Sequence, residues 1–272
     1  MTMINYDILE SRIDEYAESF RTAKPHRHLV IDNFLNEEVA LKAYQEFPKM
    51  EEMDRLKDMR QYKAQDPNIA KFNPIFKDII FEHIQSERLI SILTKITGMP
   101  NLHPDPKLYA SGLAQGENGS FLNVHIDNSS HPDEPWYRRL NLLVYLNPDW
   151  TEEKGGHFEL WSPDMKESVA ILPKFNRMMI FATDRQSWHG HRSVITSDGD
   201  TRKSINIYYF SPQSPEGDGE DYYHVTSFRG RKDETMNKIL YPVDNLIRTV
   251  VRKLRPKKDS HAVLYDEDKQ DS

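Results

Sequence analysis

Short runs of β-type residues dominate the middle of the chain. Seven such runs lie between Leu108 and Phe210, and each is rich in branched or aromatic residues: LYASGLA, SFLNVHID, LNLLVYLN, HFELW, VAILP, RMMIFAT and SINIYYF. The spacers between them, such as QGENG, NPDWTEEKGG and TSDGDT, are rich in the Gly, Pro, Asp and Asn residues that favour turns. Short strands at near-even spacing are typical of a sandwich, a barrel or a jelly roll. We therefore predict a β core over residues 106–211.

The first 105 residues show the longer apolar period of helices. Helical spacing runs over residues 4–20 and again over residues 75–96, and the segment 36–48 predicts a third helix. The run HLVI before that segment is typical of a short strand. Residues 49–72 are charged and have no clear period. We expect residues 1–105 to form a mainly helical support packed on the β core.

Residues 212–272 predict a linker, one amphipathic helix and a polar tail. The segment YPVDNLIRTVVRKLRP has an apolar stripe at helical spacing, formed by Val243, Leu246, Ile247, Val250, Val251 and Leu254. Its other face carries basic residues, followed by three more: Arg248, Arg252, Lys253, Arg255, Lys257 and Lys258. Such a helix can lie on an anionic membrane, but we favour packing of the stripe against the β core. The chain is then one domain, residues 1–272.

The composition excludes several classes of protein. The 272 residues include 36 Lys and Arg against 43 Asp and Glu, and the net charge of −7 argues against nucleic-acid binding through a broad basic face. No stretch approaches the roughly 18 apolar residues of a membrane span, and the N-terminus lacks the pattern of a secretory signal. The absence of cysteine excludes disulfides, thiolate metal sites and iron–sulfur clusters. We expect a cytoplasmic protein, in which histidine is the candidate residue for metal chemistry.

The sharpest chemical feature is the sequence His125-Ile126-Asp127 at the end of a predicted strand. Residues two apart in a strand point to the same face, so the imidazole and the carboxylate lie side by side. A third ligand is available from His189 or His191, which follow another apolar strand. Two histidines and one carboxylate on one face suit non-haem Fe(II). His-x-Asp alone also occurs by chance in many proteins.

Arg202 strengthens the metal interpretation. It lies thirteen residues after His189, at the start of the strand SINIYYF. A buried guanidinium needs an acidic partner and can grip a carboxylate with two parallel hydrogen bonds. A dicarboxylate with one end on the metal would satisfy it. The alternative is a surface arginine in the turn SDGDTRK.

The segments HxD, GGHFELW, RMMIFATDRQSWHGHRSV and TRKSINIYYF follow one another in an order that resembles the Fe(II)/2-oxoglutarate-dependent oxygenases. The likeness covers about residues 114–211 and is greatest to the prolyl-4-hydroxylase-like branch. It implies a mainly β fold, a double-stranded β-helix of the jelly-roll, cupin-like type, with N-terminal helices packed on it. It also implies a dioxygenase that hydroxylates an unactivated C–H bond and releases succinate and CO2. The implied cofactor is Fe(II), with 2-oxoglutarate and O2 as co-substrates and L-ascorbate as a further candidate.

The resemblance assigns the metal ligands to His125, Asp127 and His189. His189 is preferred to His191 because the family pattern has a Val five positions later, and Val194 fits. Arg202 becomes the partner of the distal carboxylate of 2-oxoglutarate. Some oxygen-sensing members have a Tyr against the co-substrate, and we expect Val144 at that position in this chain. Another residue must then supply a polar group to 2-oxoglutarate, and we expect Asn206 or Ser204 to do so. The candidates for the substrate pocket are Asn123, His191 and Trp188.

Two other functions stay open at this point. A cupin-like metalloenzyme of another reaction class would keep the metal but would not need Arg202. A non-catalytic binding module would keep the fold, and would be expected to lose a ligand. The substrate is a small molecule or a peptide, which Arg138 and Arg139 could meet if it is anionic, although a solvated strand edge explains both residues equally well. The oligomeric state is open.

Overall fold

Antiparallel strands form most of the protein in the computed structural model, which describes residues 2–197, 199–215 and 222–254. Thirteen strands among these residues join one sheet: β1 His28–Asp32, β2 Arg55–Lys57, β3 Gln61–Asp66, β4 His103–Pro104, β5 Gly112–Gly116, β6 Phe121–Ile126, β7 Tyr137–Tyr145, β8 Phe158–Trp161, β9 Ser168–Ile171, β10 Arg177–Ala182, β11 Trp188–His191, β12 Arg202–Ser211 and β13 Ser227–Phe228. The main path runs β1-β10-β7-β12-β5-β3-β6-β11-β8-β9. β2, β4 and β13 pair with β3, β12 and β6, respectively.

The sheet curls so that its two ends face each other. Phe158 on β8, near one end of the path, packs against Phe181 on β10, near the other, with ring centroids 5.2 Å apart. The same buried cluster holds Leu143, Tyr145, Leu160, Ile171 and Met179. Residues at the two ends of one sheet, on the same face, can touch only if the sheet folds over on itself. The sheet therefore forms two layers with a buried interior between them. The predicted double-stranded β-helix is confirmed.

The helices of the first 105 residues pack on the outer face of the β10-β7-β12 layer, as predicted. Their bounds are α1 Tyr6–Glu10, α2 Ile13–Thr22, α3 Glu37–Gln45, α4 Ile75–Lys77 with a π-helical turn Asp78–Ile84, α5 Glu87–Thr97 and α6 Thr235–Leu254. Leu89, Leu93 and Ile96 of α5 share the largest core cluster with Leu142 of β7 and Ile207 of β12. Ser86 begins α5 as its N-cap, accepting a hydrogen bond from the Leu89 amide, and Gly98 ends it with a φ of 68°.

Three segments differ from the sequence prediction. Residues 49–72 contribute β2 and β3, and β3 lies between β5 and β6 in the sheet. Its pattern was not recognisable because its inward face is polar and only Ala64 is a buried apolar residue. The predicted helix over 4–20 is divided into α1 and α2. The run LYASGLA begins in a turn, with positive φ at Leu108 and Ala110, so that its strand covers only β5.

The orientation of α6 contradicts the prediction that its stripe packs against the core. Val243, Leu246, Ile247 and Val250 are about half or more exposed. The side turned toward the protein carries Tyr241 instead, which is fully buried. The predicted tail and the end of the basic run lie outside the described residues. Among the described helices, none is long and apolar enough to cross a membrane.

Candidate functional site

His125 and His189 meet because β6 and β11 are antiparallel neighbours. The two residues are direct cross-strand partners, with ring centroids 4.3 Å apart. Asp127 follows β6 at once, and its two carboxylate oxygens lie 3.5 Å from His125 Nε2 and 3.6 Å from His189 Nε2. The three ligand atoms lie within 4.8 Å of one another, and no other group of three such residues in the described chain could hold a metal ion. The structure thus brings together the three residues that the sequence singled out as ligands.

Both imidazoles present the nitrogen that a metal needs. His125 Nδ1 lies 3.0 Å from the Asn123 carbonyl oxygen, and His189 Nδ1 lies 2.7 Å from that of Ser187. Because a carbonyl oxygen can only accept, each Nδ1 carries the proton and donates it. The Nε2 atoms therefore have free lone pairs, and they face Asp127. Backbone acceptors that fix the tautomer in this way are a usual second layer around metal-binding histidines.

The charge states of Asp127 and His189 also suit a cation. Burial lowers the pKa of His189 to about 3, and the neighbouring His125 adds to this, so the His189 ring is neutral at physiological pH. Burial alone would raise the pKa of the Asp127 carboxyl, but the charge of Arg138 and the two imidazoles hold it well below its usual range. The site therefore offers an ionised carboxylate beside the neutral ring of His189.

Asp127 is oriented by two residues that the sequence did not assign to the site. Tyr208 on β12 donates its hydroxyl hydrogen to Asp127 Oδ2 over 3.0 Å. Arg138 on β7 places Nη1 3.4 Å from Asp127 Oδ1, and its guanidinium stacks 3.9 Å from the centroid of the Tyr208 ring. Arg138 is only 2% exposed and Arg139 is also buried, so the solvated strand edge proposed for them is wrong. Tyr208 lies six residues after Arg202 on β12 and therefore points to the same face of the strand. This alternation is the sequence signal that could have identified it.

Arg202 is buried at the start of β12, on the inward face of the sheet. Its Nε donates to the Gly156 carbonyl oxygen over 2.7 Å, and its Nη2 donates to the Tyr145 hydroxyl over 3.3 Å. We expected Val144 at the position where some family members have a Tyr against the co-substrate. The structure places Tyr145, the next residue, on the side of Arg202. Val144 is fully buried on the outer, helix-covered face, and Tyr145, as the next residue of the strand, points inward.

Several polar residues share the interior with Arg202. Ser204 and Asn206 follow it on the same face of β12; Ser204 is buried and Asn206 is partly buried, with an Oδ1 that has no hydrogen-bond partner among the described residues. His191 is buried on the inward face of β11, and burial together with the charge of Arg202 holds its pKa well below its usual range. Lys63 on β3 was missed. Burial lowers its pKa to about 8 while Asp127 opposes this, and its Nζ donates to Gln65 Oε1 over 2.8 Å.

Two candidates for the substrate pocket have other partners. Trp188 precedes His189 in β11 and so lies on the opposite face, where it packs with Ile126 and Trp161. The Asn123 amide nitrogen donates to the Met59 carbonyl and to the Tyr241 hydroxyl of α6, and its oxygen accepts from Arg231. Trp188 therefore does not line the site, and the side chain of Asn123 ties α6 to the metal-ligand strand.

A narrow crevice with no free space for a water molecule borders the triad on the side of Arg138. Its walls include Asp127, Ser129, Thr183 and His224. Buried polar atoms here have no hydrogen-bond partner among the described residues: Arg138 Nε and Nη2, Thr183 Oγ1 and both ring nitrogens of His224. A larger cleft of about 670 Å³ lies between α2 and β1 and contains none of these residues. Buried polar groups without a partner are uncommon, so these atoms are candidates for contact with a polar ligand.

Residues 111–210 match the model of the 2OG-Fe(II) oxygenase superfamily. Mouse prolyl 3-hydroxylase OGFOD1 is 23% identical over 197 residues, which are 69% of this chain and 33% of that protein. Human Egl nine homolog 1 is 31% identical over 94 residues, which are 34% of this chain and 20% of that protein. This chain thus spans about a third or less of the length of the curated relatives it matches.

Solved structures share the fold. A prolyl hydroxylase from Trichoplax adhaerens, in complex with a hypoxia inducible factor peptide, superposes with a TM-score of 0.54 at 18% identity, covering 76% of this chain and 93% of that one. A prolyl 4-hydroxylase from Phytophthora capsici gives a TM-score of 0.53 at 21% identity, covering 92% and 76%. At these identities the likeness establishes the architecture.

Proposed function

We propose that the protein is an Fe(II)- and 2-oxoglutarate-dependent dioxygenase, a proposal supported by the match of residues 111–210 to the model of the 2OG-Fe(II) oxygenase superfamily. The proposed reaction hydroxylates an unactivated C–H bond of a small molecule or a peptide side chain. The proposed metal ligands are His125, Asp127 and His189. The observation that carries the proposal is their arrangement, with two Nε2 lone pairs and one carboxylate converging within 4.8 Å in a buried site.

The donor set fits Fe(II). Two neutral imidazoles and one carboxylate form the set that non-haem Fe(II) oxygenases use, and they leave other coordination positions open. The two Nδ1–H groups are already bound to backbone carbonyls, so the rings are held for coordination through Nε2. Tyr208 and Arg138 hold the carboxylate, and the charge of Arg138 keeps it ionised.

Arg202 is proposed to bind the distal carboxylate of 2-oxoglutarate. Its guanidinium is held by Gly156 through Nε and has the Tyr145 hydroxyl beside Nη2. Tyr145 thereby supplies the polar group that we expected from Ser204 or Asn206, whose part in binding 2-oxoglutarate stays a prediction. When Fe(II) and 2-oxoglutarate are bound, reaction with O2 supplies the oxidising power that yields succinate, CO2 and a hydroxylated product. Burial of His189 and Arg202 keeps water away from this chemistry.

The substrate is proposed to bind beside Asp127, where Arg138 Nε and Nη2 have no hydrogen-bond partner among the described residues. Relatives named as prolyl hydroxylases suggest a peptide, but these N–H groups also suit a small polar molecule. His191, on the Arg202 side, stays a prediction as a pocket residue. So do a cytoplasmic location and a role for L-ascorbate.

Anaerobic titration with Fe(II) and 2-oxoglutarate tests the proposal. Chelation of 2-oxoglutarate by Fe(II) is expected to give a weak charge-transfer absorption band in the visible range. We expect this band in the purified protein and, on admission of O2, release of succinate. Folded protein with no band would contradict the proposal and favour a metalloprotein of another class.

Two variants test whether His189, and not His191, is the third metal ligand. His189→Ala is expected to abolish the band, and His191→Ala, at a buried histidine two residues away on the same strand, is expected to keep it. Loss of the band in both or in neither would contradict the assignment of His189. Arg202→Ala is expected to keep metal binding and to weaken 2-oxoglutarate binding at least tenfold.

A further inference from the structure

Helix α6 presents a continuous apolar stripe to solvent. Seven apolar side chains at helical spacing are 42–68% exposed: Met236, Ile239, Leu240, Val243, Leu246, Ile247 and Val250. In an ordinary surface helix such a stripe faces the core. Contiguous exposed apolar surface on a protein of this size marks a place where something binds.

The polar side of α6 fixes this orientation. The buried Tyr241 donates to the Met59 carbonyl over 3.1 Å and accepts from Asn123. Asn245 exchanges two hydrogen bonds with the backbone of Phe228, and Asp244 lies 3.5 Å from Arg60. These contacts attach the polar side to the β core. The stripe is therefore exposed because the helix is held with its apolar side outward.

The charge of α6 is opposite to that of the whole chain. The helix has four basic residues and one acidic residue, whereas the chain has a net charge of −7. The acidic residue, Asp244, is paired with Arg60. An anionic surface would attract this helix and repel most of the rest of the protein.

We propose that α6 docks on the surface of an anionic lipid bilayer with its apolar stripe at the boundary of headgroups and acyl chains. An apolar stripe with basic residues is the pattern of helices that lie in this boundary. A second copy of the chain fits less well because it would bring the same basic excess to the contact. A stable protein interface also takes about 20–30 residues a side, and the stripe offers seven.

Docking through α6 would hold the proposed oxygenase site at the membrane surface. The stripe from Met236 to Val250 is about 21 Å long, so the helix would lie flat in the boundary. Tyr241 and Asn245 connect it to β6 and β13, next to His125. This inference does not depend on the catalytic proposal.

Co-sedimentation of the whole protein with lipid vesicles tests it. We expect binding to vesicles of equal parts phosphatidylcholine and phosphatidylglycerol, little binding to pure phosphatidylcholine, and weaker binding at high salt. Leu246→Glu should reduce binding to the anionic vesicles at least tenfold. Leu41→Glu makes the same change at an exposed leucine of α3 and should bind as the wild type does.

The outcomes distinguish a lipid bilayer from a second copy of the chain as the partner of the stripe. Both variants should keep the wild-type melting temperature, since both leucines are exposed, so that a loss of binding reports on contact with lipid. Equal sedimentation with both kinds of vesicle, or with neither, would overturn the proposal. A dimer in light scattering that Leu246→Glu converts to monomer, without vesicle binding, would assign the stripe to a second copy instead.

Discussion

Gly156 positions Arg202 both through its carbonyl group and through its lack of a side chain. Arg202 Nε donates to the Gly156 oxygen over 2.7 Å. A Cβ on Gly156 would lie 3.0 Å from Arg202 Cδ and 2.9 Å from Val194 Cγ2, and the residue has a φ of 63°. The second glycine of the GG pair is thus required by the close approach of the guanidinium that we assign to 2-oxoglutarate.

We predict that Gly156→Ala weakens 2-oxoglutarate binding at least tenfold and leaves metal binding intact. The new Cβ displaces the Arg202 side chain, which does not touch the triad. Calorimetric titration of the metal-free protein with Mn(II), followed by titration of the loaded protein with 2-oxoglutarate, measures the two affinities. The matched control is Gly119→Ala, which also has a positive φ, 81°, but no atom within 4 Å of the new Cβ. It should cost about 1–2 kcal/mol of stability and bind 2-oxoglutarate normally; a similar loss of affinity in both variants would refute the role of Gly156.

Tyr208→Phe is expected to lower metal affinity about tenfold. The change removes the hydrogen bond to Asp127 Oδ2, and loss of such an outer partner costs about 10–100-fold. Mn(II) binding followed by electron paramagnetic resonance checks it. Tyr209→Phe is the control, since its hydroxyl donates to the Ile84 carbonyl on the helix-covered side. That variant should lose stability and keep its metal affinity, and a reversed pattern would contradict the assignment.

Lys63 should make 2-oxoglutarate binding depend on pH. Its charge lies in the interior with Arg202 and attracts a dianion; burial lowers its pKa to about 8, so affinity should fall as the pH rises through that value. Lys63→Gln should bind about threefold to tenfold more weakly at neutral pH, with no inflection near pH 8. Lys203→Gln should keep the inflection because Lys203 lies on the other face of β12, over the Tyr44 ring. An inflection that survives in Lys63→Gln would show that another group titrates.

His189 should make the metal-free protein sensitive to mild acid. Burial lowers its folded-state pKa to about 3, whereas the unfolded value is 6.5, so the unfolded chain takes up a proton first. The stability contribution is complete above pH 6.5 and is lost as the pH falls toward 3. Between pH 6.5 and about pH 4 this loss is about 3 kcal/mol. In His189→Phe, urea unfolding should show a correspondingly smaller loss, and equal losses in the two proteins would contradict the prediction.

The sequence predicted the three proposed ligands in two steps, by strand alternation for His125 and Asp127 and by the resemblance to the oxygenases for the choice of His189 over His191. His125 and Asp127 share a face by alternation alone. The Tyr145 position was missed by one residue, since Val144 and Tyr145 both suit a buried strand and only the packing of helices on one face decides which points inward. Lys63 was missed because β3 lines a polar interior and has no apolar alternation. The orientation of α6 depends on Tyr241 and Asn245, whose partners are distant in sequence.

The ring of Phe228 stacks on that of His125, with centroids 5.3 Å apart and planes inclined by 22°. β13, which carries it, pairs with β6 along the metal-ligand strand. Phe228 lies outside the segment that the chain shares with the superfamily, which ends at residue 210. A fragment cut at that boundary would therefore contain every proposed ligand and still expose one of them to water. The proposed metal ligands and the C-terminal residues that pack on them therefore depend on each other, and substitutions around Phe228 are expected to alter metal binding.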